Sequence, residues 1–395
     1  MLPFAIFAAL GLTMFMMGGD DASDDTSDDP TPESEDQATI VPVDDLYDDS
    51  DEDDTDDEDP ILIDPETGAY LVGPGQTAIG TDGDDLFTLV EGAEYSYSPY
   101  RESVITISAG DGDDSILLNA GAASSIDGGA GDDIVRSQGW AGHIDGGDGD
   151  DDIQVSSMGG GIEGGAGNDL IFNINGVGPT YLYGGDGDDH LIGQVVGTDK
   201  SDLFGGAGND IVDGRDMDNA NLYGGAGDDI IYTALHGSQG AGYSVFAYGG
   251  DGDDRFIHND APPDSRYQDT VPRLLGGDGS DNFEISFSEV NNDNTVVSRS
   301  SVVGILDFEN GVDAIQINAM VDNPDVYSVV SAELQEDTEN STTRLVVSYE
   351  AAPDPLDPES SLPDREMVVT IVATDVTWDD ITFVGDNVPP VLVPV

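Results

Sequence analysis

Residues 124–171 read SSIDGGAGDDIVRSQGWAGHIDGGDGDDDIQVSSMGGGIEGGAGNDLI. Three near-identical octapeptides stand in this stretch, GGAGDDIV from Gly128, GGDGDDDI from Gly146 and GGAGNDLI from Gly164, with starts 18 residues apart. A second rhythm runs inside the first: Ile126, Val135, Ile144, Ile153, Ile162 and Ile171 follow one another every nine residues. No helical period accompanies them and β-branched residues dominate, so each apolar position belongs to a short strand. An 18-residue coil with one inward apolar residue on each half stacks these positions into two internal rows. The fold class that follows is all-β and repetitive.

Working outward, the same motif appears ten times. GTDGDDLF starts at Gly80 and AGDGDDSI at Ala109; beyond the three above come GGDGDDHL at Gly184, GGAGNDIV at Gly205, GGAGDDII at Gly224, GGDGDDRF at Gly249 and GGDGSDNF at Gly276. Starts from Gly128 to Gly224 lie 18 to 21 residues apart, whereas 29 residues separate the first two copies and intervals of 25 and 27 flank the ninth. The long intervals predict loops that bulge from the stack, including Ala261-Pro262-Pro263. The first two copies depart from the Gly-Gly opening.

The motif asks for a hard cation. Calcium takes six to eight oxygens and mixes carboxylates with backbone carbonyls. Turning carbonyls toward an ion needs backbone angles that glycine adopts at low cost, hence glycine at positions one, two and four. Position six is Asp in all ten copies, while position five varies among Asp, Asn and Ser, as suits a ligand that uses its backbone or none at all. Between the motifs the other half of each coil, such as SQGWAGHID and VSSMGGGIE, lacks the Asp, which predicts one line of sites along one edge. Carboxylates one coil apart, about 4.8 Å, repel by roughly 3 kcal/mol at an effective dielectric of 20. Without metal the array is therefore expected to be loose or unfolded.

With these residues in view, the sequence resembles the RTX, or hemolysin-type, calcium-binding repeat family, whose nonapeptide is G-G-x-G-x-D-x-U-x with U a large apolar residue. The resemblance implies a right-handed parallel β-roll in which six residues form a turn and three a strand. It implies calcium bound by Asp85, Asp114, Asp133, Asp151, Asp169, Asp189, Asp210, Asp229, Asp254 and Asp281, each between its own turn and a neighbouring one. The phrase ILDFENGVDAIQI (305–317) also looks like the segment that follows the repeats in exported members.

Composition bounds the rest. With 83 acidic against 10 basic residues, a net charge of −73, the chain repels nucleic acid and anionic membrane surfaces and attracts cations. No cysteine is present, so no disulfide or thiolate site can staple it. Four zones are read: an apolar segment at 1–19, an acidic disordered linker at 20–60, the calcium-binding roll at 61–283, and a small C-terminal β domain at 284–395 that caps the roll. The apolar run of residues 2–17 reads as a membrane anchor or a cleaved signal. Residues 20–60 hold 21 acidic residues and no basic one, a composition that cannot build a core.

No H-E-x-x-H, G-x-S-x-G or P-loop occurs, and His143, His190, His236 and His258 read as scattered surface residues, so no enzyme is expected. The expected function is calcium binding by an exported or cell-surface protein that folds on calcium, with a structural or adhesive role. The alternative is a non-catalytic module, or a member, of secreted polysaccharide-modifying enzymes. Tyr183, Phe204, Tyr223 and Tyr248 each precede a Gly-Gly pair and form an outward aromatic column, either a packing device or a platform for a glycan or cell-surface partner.

Overall fold

The computed structural model describes residues 39–42, 62–65, 67–90, 104–118, 124–138, 141–156, 159–176, 179–195, 200–217, 219–234, 245–259, 271–288, 303–320, 327–351, 365–385, 389 and 392–393. The apolar segment at 1–19, all of the acidic linker at 20–60 except residues 39–42, His236 and Ala261-Pro262-Pro263 lie outside them. Every regular element among the described residues is a strand, and none is a helix long and apolar enough to cross a membrane.

Each motif bridges two sheets. In the coil that opens the quoted stretch, Ser124–Ala130 lies in a 16-stranded sheet and carries the Gly-Gly pair at its end. The chain then turns through Gly131-Asp132-Asp133 and enters a 14-stranded sheet as Ile134–Gln138. Coil after coil repeats this step, so the strands of the repeats run parallel within each sheet and all ten motif turns fall along one edge. The sheets form a parallel β-roll.

Register follows the nine-residue rhythm. Ile144 pairs with Ile126 on one side and Ile162 on the other, and Ile153 with Val135 and Ile171. The first row continues through Leu182, Leu203, Leu222, Ala247, Leu274 and Ile305. The second continues through Leu191, Val212, Ile231, Phe256, Phe283 and Ile315. Both rows are fully buried and make one continuous core between the sheets, joined on some strands by further inward residues such as Val155, Ile285 and Phe287. A one-residue slip would turn every one of these side chains to solvent, and that fixes the register.

The stack does not end at residue 283. That position lies inside the strand Asn282–Ser288, and two further half-coils, Val303–Ile305 and Ala314–Met320, add to the sheets in parallel. Arg365–Ile371 and Ile381–Phe383 add another layer. Only then does the first sheet turn antiparallel, through the long strands Thr342–Ala351 and Tyr327–Asp337. The C-terminal β region is thus continuous with the roll, and its antiparallel strands terminate the first sheet.

On the outer face of the first sheet, Tyr183, Phe204, Tyr223 and Tyr248 stack with centroids 4.7–4.9 Å apart and interplanar angles of 0–8°. Each inner ring therefore presents its faces to its neighbours. His258, in contrast to the surface position expected of it, is fully buried, 3.0 Å from Thr233 Oγ1 on the preceding coil. It occupies an inward position two residues beyond Phe256, where strand alternation, not histidine's usual preference, decides its side.

Glycine is needed at positions two and four because of the spacing between coils. Gly206 has φ +130°, and a methyl group there would lie 2.1 Å from the carbonyl oxygen of Gly185 on the preceding coil. Gly83, position four of the first motif, has no such φ and nothing within 4 Å of a methyl. Gly206→Ala is expected to weaken folding by about 2 kcal/mol or more, combining a left-handed backbone with a backbone clash. Gly83→Ala should change it by less than about 0.5 kcal/mol. Thermal melts of both variants at one fixed calcium concentration check the contrast.

Candidate metal centre

The sixth-position aspartates form a column along the motif edge. Each from Asp114 onward accepts, through Oδ1, the backbone N–H of the sixth-position residue in the coil before it. Asp114 N donates to Asp133 Oδ1 at 2.8 Å, Asp133 N to Asp151 and Asp151 N to Asp169 at the same distance. The chain of bonds runs from Asp85 N, onto Asp114 at 2.6 Å, to Asp254 N, onto Asp281 at 2.9 Å. All ten aspartates read from the sequence are thereby placed in one line.

The line extends by one. Asp281 N donates to Asp313 Oδ1 at 3.0 Å, making Asp313 an eleventh rung. Sequence reading missed it because its turn, Phe308-Glu309-Asn310-Gly311-Val312-Asp313, has lost both opening glycines. The surviving signal was Gly311 at position four, Asp313 at six and buried Ile315 at eight.

Position five carries a second column of opposite polarity. Here the side chain of the earlier coil accepts from the N–H of the later one: Asp132 N to Asp113 Oδ1 at 3.0 Å, Asn168 N to Asp150 at 2.7 Å, Asp188 N to Asn168 at 2.8 Å, Asp228 N to Asn209 at 2.8 Å. Its side chain is thus engaged by the next coil, a role separate from the expectation that position five serves a metal through its backbone or not at all. Asp and Asn interchange because both offer an Oδ1 on a short side chain. Ser280 ends the column, donates through Oγ to Val312 O, and need accept nothing beyond it.

The second carboxylate oxygen of the inner column is different. Oδ2 of Asp114, Asp133, Asp151, Asp169, Asp189, Asp210, Asp229, Asp254 and Asp281 is buried and has no hydrogen-bond partner. These side chains are at most 2% exposed. Burial first, then the neighbouring carboxylates, pushes their acidities up, to about 7 for Asp114, Asp151, Asp189, Asp229 and Asp254 and to about 6 for Asp133, Asp169, Asp210 and Asp281. Holding one such carboxyl ionised at pH 7 and above costs roughly 3–4 kcal/mol relative to water. Nine of them exceed the roughly 5–15 kcal/mol stability of a domain. A compensating positive charge is required.

The surroundings suit calcium. A methyl placed on Gly128 would lie 2.3 Å from Asp133 Oδ2 and 2.4 Å from the carbonyl oxygen of Gly146 in the next coil. The same pair of oxygens, one carboxylate and one carbonyl from the neighbouring turn, crowds the first glycine of the motifs at Gly146, Gly164, Gly184, Gly205, Gly224 and Gly249. Carboxylate and carbonyl thus open onto one space that position-one glycine leaves free. The donors are all oxygen, with no nitrogen or sulfur, as a hard divalent ion demands. Elsewhere among the described residues, His143, Asp145 and Glu163 bring ligand atoms within 4.8 Å of one another on the outer face of the first sheet.

Comparison with known families agrees. The family model of the RTX calcium-binding nonapeptide repeat (four copies) matches residues 106–122, 123–139, 162–172, 176–194, 197–216 and 218–235. A search of curated proteins gives no match. The matched stretches stop at residue 235, yet the same turn and the same orphaned oxygen recur at Asp254 and Asp281. From its matched repeats, its parallel roll and its buried aspartate column, this chain carries calcium-binding repeats of the RTX nonapeptide type.

Proposed function

We propose that the aspartate column is filled by calcium only outside the cytoplasm, so that the chain folds after export, and that the folded roll serves a structural or adhesive purpose at or beyond the cell surface. The observation that carries this reading is the run of nine buried carboxylate oxygens without a protein partner. A roll whose neutralising charge is imported stays unfolded where calcium is scarce and stiffens where it is abundant. The absence of cysteine fits a metal as its staple, in the role that disulfides play in other exported proteins. The acidic stretch at 20–60 acts as a spacer that concentrates cations near the roll. The role we propose is non-enzymatic, as the sequence carries no H-E-x-x-H, G-x-S-x-G or P-loop.

The aromatic column serves cohesion. Its inner rings cover one another's faces, which a sugar ring would need, and leave mostly edges to solvent. Replacing Phe204 and Tyr223 together by Ser should raise the calcium concentration for half-folding by about twofold or less, because a loss of roughly 1–2 kcal/mol of stacking and burial is shared among the several ions taken up on folding. If the platform reading held instead, glycan or surface binding would vanish while calcium-driven folding stayed put.

Far-UV circular dichroism of residues 37–395 during a calcium titration tests the central claim. A cooperative rise of β signal at micromolar to millimolar calcium, with little response to magnesium, is expected. A full β spectrum in chelator would refute it.

Acidity gives a second handle, with opposite signs in the two states. Without metal, the carboxyls at about 6 to 7 in the fold and near 3.8 when unfolded penalise the roll above pH 7, and the penalty fades as pH falls toward 4. In chelator, β signal should therefore grow as pH is lowered from 8 to about 5. With calcium present, the loaded fold and the unfolded chain are both ionised until the unfolded carboxyls take up protons near 3.8. The midpoint concentration should therefore hold nearly constant from pH 7.5 to 5.5 and rise only as pH falls toward about 4. Titrations at pH 5.5, 6.5 and 7.5 measure it.

A further inference from the structure

The two ends of the aspartate column differ from its interior in the atom that matters. Asp85 Oδ2 accepts from Thr81 N at 2.7 Å and from Thr81 Oγ1 at 3.0 Å. Asp313 Oδ2 accepts from Glu309 N at 2.7 Å, and its own N–H returns to Glu309 O at 2.9 Å, closing the turn on itself. Neither oxygen is among the orphans. The donated hydrogens occupy these oxygens and supply part of the positive potential that the inner rungs lack.

Backbone conformation separates the ends independently. In the nine inner turns the glycines at positions two and four have φ between 109° and 149°. In the first turn position two is Thr81, and neither it nor Gly83 has positive φ; in the eleventh, position two is Glu309 and Gly311 has φ 76°. The backbone of the two end turns thus departs from the inner ones at positions two and four, although a methyl on Gly80 would still lie 2.8 Å from Asp85 Oδ2 and 1.9 Å from the carbonyl oxygen of Ala109. Asp85 is also half-exposed, so water can solvate it. At the C-terminal end Asp307 adds to the closure by accepting Gly276 N at 2.9 Å through Oδ1.

From this we infer that Asp85 and Asp313 are metal-free end rungs, sealed by Thr81 and Glu309, and that the calcium column is confined to the nine aspartates from Asp114 to Asp281. The inference rests on the reading that the inner aspartates hold calcium. It departs from the sequence expectation at one position, Asp85, and keeps the newly found rung, Asp313, out of the metal set. The seals bound the array: they end a row of orphaned oxygens with protein donors, where one further unpaired carboxylate would face solvent or the C-terminal strands.

Calcium bound per chain at saturation, counted by equilibrium dialysis with atomic absorption, tests this on the full chain carrying D85N, D313N or D169N. D85N and D313N should keep the wild-type count, and D169N should lose at least one ion. Asn at 85 can still accept from Thr81, so D85N should fold near the wild-type calcium midpoint. D313N forfeits one of two accepted bonds and should fold at a severalfold higher calcium concentration. Loss of an ion in folded D85N or D313N overturns the end-rung assignment and leaves the inner column standing. Failure of D313N to fold in saturating calcium overturns it too, because a rung that holds no ion should not be required for uptake by the others. An unchanged count in D169N would instead sink the calcium reading of the column itself.

Discussion

One atom type governs this molecule: the second carboxylate oxygen of the sixth-position aspartate. Its partner oxygen is spent on the neighbouring coil's N–H, and its surroundings are closed to water, so it has nothing to neutralise it but an ion. Desolvation alone would drive the carboxyl to hold its proton near neutrality. Repeated nine times with like charges stacked coil upon coil, that cost outweighs what two rows of buried aliphatic side chains contribute above the entropy of ordering the chain. Under the proposed function, calcium would neutralise this column and turn its cost into a tie between coils.

The two side-chain ladders explain how such a column is kept in register. Position six points its acceptor back toward the preceding coil, and position five points its acceptor forward to the next. Every motif turn is therefore tied to both neighbours by side chains as well as by backbone bonds, such as Ile134 N to Asp114 O and Gly131 N to Asp148 O. Because the ties come only from turn residues, the motif edge tolerates almost no change, while the opposite edge accepts the long intervals around Gly249 and Gly276. Apolar rows and polar edge divide the work: the rows fix which residues face inward, and the edge fixes the distance between coils.

That division also places the aromatic column. The rings sit immediately before Gly-Gly pairs, at the end of the outward face nearest the motif edge, where coil spacing is most tightly set. Spacing imposed by the turns puts the rings at offset-stacking distance, and their contact in turn favours that spacing.

Sequence alone determined the two inward rows, the strand assignment, the motif edge and the identity of the aspartates, because each depends on periods of nine and 18 residues that a linear reading exposes. Local backbone chemistry decided those features, and glycine and aspartate announce it. Tertiary structure decided what depends on the neighbouring coil. The acceptor role of position five became visible only when Asp150 met Asn168 N across the stack. Asp313 joined the column because the chain comes back into register after residue 303, although its turn no longer spells the motif. His258 was buried by the parity of its strand. The difference between Asp85 and Asp114, two residues with the same local sequence G-D-D, lies in whether a donor from the same turn reaches Oδ2. A sequence gives the residue that could bind; the folded neighbours decide which of its two oxygens is left without a partner.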